Sequence, residues 1–523
     1  MKNIFKIAIL SLGIVNIVSS CSNDFVDREF EQSVIQSDLK SLQEVQSFVR
    51  GAYASMRAST YYGRDFTAYG EVRSDEMFSN GRSGYFQTVR TYTMTSSDAY
   101  ARDTYNQIYT MIAKTNIVIG TDVSKLNGTA QDLQKAEYYQ GQAYALRAQG
   151  FFDLLRLYGQ KYTGGTLGVV TPLKYDPKAL KARSTITETE AQIEADFNKA
   201  LSIMTSRSSY DDPSNKTELS IDALKVLMSR YYLYKGDYAK VRTLISEVYS
   251  KYNVVARDLY QPSFDYTLRG AAPNSIFELE VGTDSSLSTS SYNQVLSVNG
   301  YYNLVALASS YNLYATNDIR KSLISYLSAA NGQKYYFLSA GTRGKYLNRT
   351  GADNIKMVRY EEALLNGAEA ELNGGSAAKA LEYYKLILAN RLGAITLVRP
   401  TGTSTANLDA VISQAVLNGI SKEKATEYFT KIWDSLDADK NPSAQISVAD
   451  QLNLYTSVSL EMIKVERRKE LLGEGFRQWD LLRWGNTSFK PADVSANLLA
   501  FPIPRQETDI AGTPVVANPG YDN

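Results

Sequence analysis

Residues 221–250 read IDALKVLMSRYYLYKGDYAKVRTLISEVYS, two apolar-periodic runs on either side of Gly236-Asp237-Tyr238. Apolar side chains recurring every three or four residues put one face of each run against a core. A Gly-Asp step followed by an aromatic is where a helix hairpin turns and packs. The stretch predicts two antiparallel helices. Residues 358–391, VRYEEALLNGAEAELNGGSAAKALEYYKLILANR, repeat the design with Gly374-Gly375 at the turn.

Both hairpins look like pairs of tetratricopeptide type, although neither carries the full repeat consensus. Working outward, the helical period persists. Ser41 and Glu44 have capping-box spacing ahead of Val45, Phe48, Val49, Ala52 and Met56, which predicts a helix over about 42–58. Ile108, Ile112 and Ile119 mark a second helix, and residues 132–158 a long third one, ended by GQKYTGGTLGVVTP (159–172). Thr187 and Glu190 have the box spacing again, ahead of Ile193, Phe197, Ala200, Leu201 and Met204. A further helix is expected over about 456–473. Phe501-Pro502-Ile503-Pro504 and Asn518-Pro519-Gly520-Tyr521 cannot be helix interior. The fold class is therefore mostly α, a scaffold of helix pairs.

Residues about 59–100 and 255–350 break this pattern. They are rich in Tyr, Ser, Gly, Asn and Thr, with short apolar runs such as SIFELEV (275–281), which reads as a strand. Long connections on a rigid scaffold are where binding tends to reside.

Composition narrows the chemistry. The chain of 523 residues has no His and one Cys, Cys21. That removes His-based triads, histidine-ligated metals, intramolecular disulfides and thiolate clusters. No cofactor or metal is expected. Lys plus Arg (56) balance Asp plus Glu (55), with no basic block, so the electrostatic drive for nucleic acid is missing. Tyr supplies 39 residues against 17 Phe and 3 Trp, so most flat faces carry a hydroxyl.

The N-terminus reads as a leader. Lys2 and Lys6 precede an apolar run from Ile7 to Val18, and Ser19-Ser20 lead into Cys21. Residues 1–20 are too short and isolated to span a membrane. Small-small-Cys resembles a lipoprotein lipobox, with Cys21 acylated after cleavage. An ordinary secretory signal before a coincidental Cys is the alternative. Residues 21–31 then form a lipid-bearing polar tether, and 32–523 a single domain.

The lipobox, TYNQIYTMIAKTN (104–116), AYALRAQGFFDLLRLYG (143–159), RYEEALLNGAEAE (359–371), ERRKELLGEGFRQWDLLRWG (466–485) and FPIPRQETD with a terminal NPGY together resemble the SusD/RagB family. These are surface lipoproteins of the Bacteroidetes outer membrane. The resemblance runs over nearly the whole chain, and the block at 466–485 is its most specific piece. It implies four tetratricopeptide-like helix pairs with loops building a ligand surface. It also implies a place as lid on a TonB-dependent transporter of SusC type, capturing oligosaccharide or, in some members, peptide.

The charges in the 466–485 block could suggest acid/base catalysis. Structure is the stronger reading. Arg477 and Asp480 have the spacing of a helical ion pair if the helix continues there, and Trp479 and Trp484 flank Leu481 and Leu482 as buried residues would.

For binding, a sugar ring packs its C–H face on an aromatic plane while its hydroxyls need polar partners. The expected ligand residues are Tyr61, Tyr62 and Arg64; Arg82, Tyr85 and Phe86; Tyr292; Tyr301, Tyr302 and Asn303; and Tyr335 and Tyr336. All three Trp, at 433, 479 and 484, fall outside these loops. Either Tyr and Phe stack the ligand or it is a peptide, which the same loops could bind through backbone and polar groups. A carboxylate-pair glycosidase needs no His, but no acid is singled out. Glu278 and Glu280, alternate residues on a strand, point to opposite faces. No enzyme activity is expected; a structural surface adhesin is the remaining alternative.

Overall fold

The computed structural model describes residues 38–521 apart from 266–267, 269–270, 341–342 and 348–349. The expected leader (1–20) and tether (21–31) lie outside the described residues. Helix α1 (Leu42–Met56) begins where Ser41 Oγ accepts the Glu44 amide at 3.3 Å. The Glu44 carboxylate reaches back to Lys40 N at 2.5 Å, one residue ahead of the cap. Val45, Val49, Ala52 and Met56 are buried and Phe48 half-buried, as the period requires.

Residues 59–100 are not loop throughout. They contain α2 (Asp65–Val72), whose eight residues are all buried. No amphipathic stripe survives on such a helix, so periodicity could not find it. Helices α3 (Ala99–Gly120) and α4 (Ala130–Tyr158) follow, then α5 (Ile186–Ser206). The box that starts α5 is Thr185 with Glu188, not Thr187 with Glu190. Thr185 Oγ1 accepts the Glu188 amide at 3.1 Å, and the Glu188 carboxylate accepts Thr185 N at 2.8 Å. Glu190 instead sits one turn in, bound to Lys161 and Lys235.

The hairpin at 221–250 forms α6 (Ile221–Lys235) and α7 (Tyr238–Val248). Gly236 closes α6 at φ +72°, the left-handed region that a Cβ disfavours, and Asp237 caps α7. The second hairpin forms α8 (Tyr360–Leu372) and α9 (Ala377–Ala389), and α10 (Ala406–Leu417) packs on α11 (Lys422–Ser435). The expected helix at 456–473 is α12 (Leu460–Leu471), followed by α13 (Arg477–Arg483).

Helix α3 packs against both α1 and α4, α4 against α5, α7 against α8, and α8 against α12. Their apolar faces merge into one core running from Leu39 to Ile503. Each Leu or Phe buried there contributes about 1.5–3 kcal/mol. The result is a scaffold of paired helices.

Short strands occupy the connections. β1 (Met77–Ser79), β3 (Leu304–Ala306), β4 (Ser325–Ser328) and β5 (Lys334–Phe337) form an antiparallel sheet in the order β1-β3-β5-β4. β2 (Ser275–Leu279) pairs with β6 (Ile355–Arg359) under the helices. The strand expected at 275–281 is thus present. Glu278 is buried against Lys356 and Asn354, while Glu280 is exposed. The Phe501–Pro504 stretch is extended and buried, its Phe501 amide donating to Leu157 O at 2.7 Å.

Candidate functional site

β1 and β3 pair antiparallel, with Met77 opposite Ala306 and Ser79 opposite Leu304. The chain leaving β1 and the chain entering β3 therefore emerge side by side. Four hydrogen bonds lock them. Asn80 N donates to Asn303 O (2.9 Å), Asn80 Nδ2 to Tyr302 O (2.7 Å), Asn303 Nδ2 to Tyr85 O (2.8 Å) and Ser83 Oγ to Asn303 Oδ1 (2.8 Å).

This brings two of the expected clusters together. The Tyr85 and Tyr301 rings meet at 4.8 Å between centroids, with the Arg64 guanidinium 5.0 Å from the Tyr85 ring. The Arg82 guanidinium lies 4.5 Å from the Tyr302 ring, which stacks on Phe337 at 4.7 Å. Tyr85, Tyr301, Tyr302, Arg64 and Tyr335 are half-buried and Arg82 is exposed. Burial, then the hydrogen bond with Tyr301, holds the Tyr85 phenol above its ordinary range, so it stays neutral. Tyr302 sits at φ +54°, an uncommon conformation for a side-chain-bearing residue, and the Asn80 and Ser297 bonds to its peptide hold it there. The strip is preorganised: half-exposed Tyr rings with hydroxyls at their edges and guanidinium groups over Tyr85 and Tyr302.

Other expected residues support this strip from below. Tyr61 is fully buried, its hydroxyl bonded to Asp153; Tyr62 donates to the same carboxylate at 2.7 Å. Burial and then Asp153 keep both phenols well above their usual range. Phe86 is fully buried at φ +57° and stacks on Tyr100 at 4.9 Å. Asn303 is fully buried and spends its amide on the loop lock. These side chains have little or no surface to give a ligand. Arg64 bonds Asp65 at 2.6 Å, and burial pushes that carboxyl up to about 6 in spite of the cation beside it.

Tyr292 is buried too, edge-on to Tyr346 at 5.5 Å. It lines a cavity of about 80 Å³ with Tyr62, Thr67, Asp353 and Glu474, far below the 300–1,000 Å³ of ordinary ligand pockets. Tyr336 lies on the opposite face of β5 from Phe337, stacked on Tyr311 at 4.7 Å and 5.9 Å from Tyr326. Tyr335 shares the Phe337 face. The sequence reading missed Tyr311 and Tyr326. The signal was the Asn331-Gly332 turn between SYLS and KYYF, which marks a hairpin whose alternate residues share a face.

The 466–485 block binds distant segments rather than substrate. Glu466 pairs with Arg320 (2.6 Å), Arg467 with Asp480 (2.6 Å), and Arg468 with Glu76 (3.1 Å). Glu470 takes Arg391 (2.9 Å), Arg359 (3.0 Å) and Arg320 (2.9 Å). Burial alone would raise the Glu470 carboxyl, but those three guanidinium groups hold it well below its usual range. The helix does not continue: α12 ends at Leu471, and Arg477 and Asp480 lie on the separate α13, where they do not pair; Arg477 turns to Asp75 (2.7 Å) and Asp480 to Arg467 and Arg483. Trp479 stacks on Phe66, and Trp484 donates to Glu369 at 2.9 Å. Among the described residues no three His, Cys, Asp or Glu are placed to hold a metal ion, and no helix is long and apolar enough to cross a membrane.

With this geometry in hand, comparison with known proteins is informative. A family model described as "Starch-binding associating with outer membrane" matches residues 24–233, and one described as "SusD family" matches residues 331–518. SusD-like protein P2 of Formosa agariphila is 24% identical over 76% of this chain and 84% of its own length. A SusD superfamily protein from Bacteroides thetaiotaomicron superposes with TM-score 0.70 at 23% identity, covering 92% of this chain and all of its own. Surface glycan-binding protein A from the same organism, solved in complex with laminarihexaose, gives TM-score 0.61 at 15% identity over 91% of this chain and 99% of its own. The two family models together take in most of the sequence, in the order of the chain, and on that ground the chain belongs to the SusD/RagB family.

Proposed function

We propose that this protein captures a glycan on the strip formed by Arg64, Arg82, Tyr85, Tyr301, Tyr302 and Tyr335 and passes it to a TonB-dependent outer-membrane transporter of SusC type. The observation that carries the reading is the β1–β3 pairing, which gathers half-exposed rings and guanidinium groups from two distant loops onto one surface. Tyr rings stack the C–H faces of sugars, and the phenol and guanidinium groups around them pair with hydroxyls. The surface glycan-binding relative solved with laminarihexaose supports the ligand class. Cys21, acylated, anchors the chain to the outer membrane, residues 22–31 are the tether, and the protein transforms nothing: it binds and hands on.

Calorimetry against a panel of oligosaccharides tests the site. Removing one stacking ring, Tyr85→Ala or Tyr302→Ala, is expected to weaken binding about three- to tenfold. Unchanged affinity in both variants refutes the placement. Purification of the full-length lipoprotein from membranes is expected to bring a barrel transporter with it, and its repeated absence counts against the delivery role.

A further inference from the structure

Resting on the glycan-binding reading, we propose that the glycan this surface selects is anionic, carrying carboxylate or sulfate groups that pair with Arg82, Lys321 and Lys334.

Residues 285–352 contain six cations, Arg320, Lys321, Lys334, Arg343, Lys345 and Arg349, and a single acid, Asp318, in a chain whose net charge is +1. That one acid is buried and taken up by Arg320 at 2.7 Å. Arg320 and Lys345 are buried as well, the latter on Glu474. The three other described cations reach the surface, and no carboxylate from this stretch accompanies them.

Several exposed cations on the helical scaffold find carboxylates: Arg50 on Glu218, Lys240 on Glu194, Lys125 on Asp122. Among the described residues, the charged groups of Arg82, Lys334 and Arg343 have neither an ion pair nor a hydrogen bond. What stands beside Arg82 and Lys334, and beside Lys321, is aromatic. Arg82 lies 4.5 Å from the Tyr302 ring, Lys334 4.4 Å from Tyr326, and Lys321 5.0 Å from Tyr311. Lys321 gives one proton to Tyr314 O at 2.7 Å and keeps two. Tyr326 is 46% exposed, and the β4–β5 hairpin that carries it is the sheet edge.

The cations lie over these rings, and Tyr302 and Tyr311 are also stacked on Phe337 and Tyr336, so the sugar packs on the half-exposed rings beside them. A substituent one bond outside the sugar ring then reaches the cation's remaining N–H groups. A hydroxyl there leaves the cation's charge unmet, whereas a carboxylate or sulfate makes a charge-assisted hydrogen bond, about twice as strong as a neutral one. The pairs sit on both faces of the β4–β5 hairpin, Tyr302 with Arg82 on one and Tyr326 with Lys334 and Tyr311 with Lys321 on the other, so the selection is spread along the ligand chain.

Calorimetry with four probes tests this: oligogalacturonate (carboxylate), a carrageenan oligosaccharide (sulfate ester), neutral laminarihexaose and hexaglutamate. At least one anionic oligosaccharide is expected to bind about tenfold or more tighter than laminarihexaose, and to weaken about tenfold between about 50 and about 500 mM salt. Lys334→Gln, at an exposed position, is expected to weaken it about fivefold while leaving laminarihexaose unchanged, and Arg82→Gln, within the strip itself, to weaken it about fivefold more than it weakens laminarihexaose. Which anionic probe binds separates uronate from sulfate. Laminarihexaose binding as tightly as the anionic probes, or anionic binding insensitive to salt and to both variants, overturns the proposal and leaves the glycan reading standing. Hexaglutamate binding as tightly as either anionic sugar overturns it in favour of acidic peptide. Binding of no glycan at all removes the glycan reading itself.

Discussion

Glu71 shows how tightly single residues are constrained under the ligand strip. It lies on α2 beside Gly70, whose backbone approaches the Gly475 turn so closely that a Cβ at position 70 would stand 2.1 Å from Gly475 O. Glu71 accepts the Gly475 amide at 2.6 Å through one oxygen, while the other is buried without a hydrogen-bond partner among the described residues. Burial, opposed by the Gly475 amide and Lys345, pushes this carboxyl from 4.5 to about 7. Glu76 beside it is raised in the same direction by burial and then by Glu71. The sign follows from linkage: between the unfolded and folded values the native state holds a proton that the unfolded chain has released. The contribution is complete below about pH 4.5 and is lost as pH rises through about 7. Glu71→Gln, neutral at every pH, is expected to flatten the decline in denaturant stability between about pH 5.5 and about pH 8.5 and to be the more stable form, relative to the parent, at the upper end. An unaltered slope would place the proton elsewhere. Glu474 and Asp480, held low by their Arg partners, complete their titration below this window and do not contribute to the slope.

At the scale of elements, the two helix hairpins were legible because everything that defines them is local: a 3.6-residue period, a Gly-containing turn and a cap within three residues. The α5 start was less so, since Thr185/Glu188 and Thr187/Glu190 both satisfy the box spacing. The choice is made by the Gly168 and Ser184 backbones, which pair across at 2.8 Å and hold Thr185 extended. Strands β1 and β3 have three residues each, too short for alternation to register. The Tyr-rich loops could be picked out by composition, but not that they meet, because the Asn303–Tyr85 lock joins positions 218 apart. Nor can composition say which ring of a cluster is buried, which is why Tyr61, Phe86 and Asn303 were grouped with the exposed residues. Asn303 has a definite role nonetheless. Its amide donates to Tyr85 O and its carbonyl accepts from Ser83, so it fixes the loop that carries Arg82 and Tyr85. Asn303→Ala leaves those groups unpaired and is expected to cost about 1–3 kcal/mol. It should also lower glycan affinity several-fold although Asn303 touches no ligand. Calorimetry combined with hydrogen exchange over 80–86 checks this: faster exchange with weaker binding supports the lock, and weaker binding with unchanged exchange would mean direct contact instead.

At the scale of the molecule, the segment after α13 helps to close the core. After α13 it returns to the N-terminal helices and buries Leu499, Phe501 and Ile503, each at most 4% exposed. Phe501 packs edge-on to Tyr69 at 5.0 Å and to Tyr158 at 6.0 Å, and its amide bonds Leu157 O. Asn518 donates to both Tyr158 O and Phe501 O at 2.8 Å and accepts from Arg183 at 2.9 Å, tying the terminal segment to the end of α4. The signature block adds a second tie, with Arg468 and Arg477 on Asp75 and Glu76 behind α2. The regions matched by the two family models are thus tied to each other by apolar packing, hydrogen bonds and ion pairs. Three large apolar side chains at about 1.5–3 kcal/mol each amount to a large part of the 5–15 kcal/mol that stabilises a typical domain. Ending the chain after Ser495 is therefore expected to remove the cooperative unfolding transition, and Phe501→Ala to lower stability by about 3–5 kcal/mol while keeping it. The placement of the three Trp, all at or beyond position 433, supplies the readout. Their fluorescence reports the C-terminal part, whereas far-UV circular dichroism reports every helix. In the parent the two denaturation curves should coincide, and in Phe501→Ala they should shift together. Separate curves in the parent, or a truncated chain with the parent's midpoint, would show that the C-terminal segment is an accessory rather than the closure of the fold.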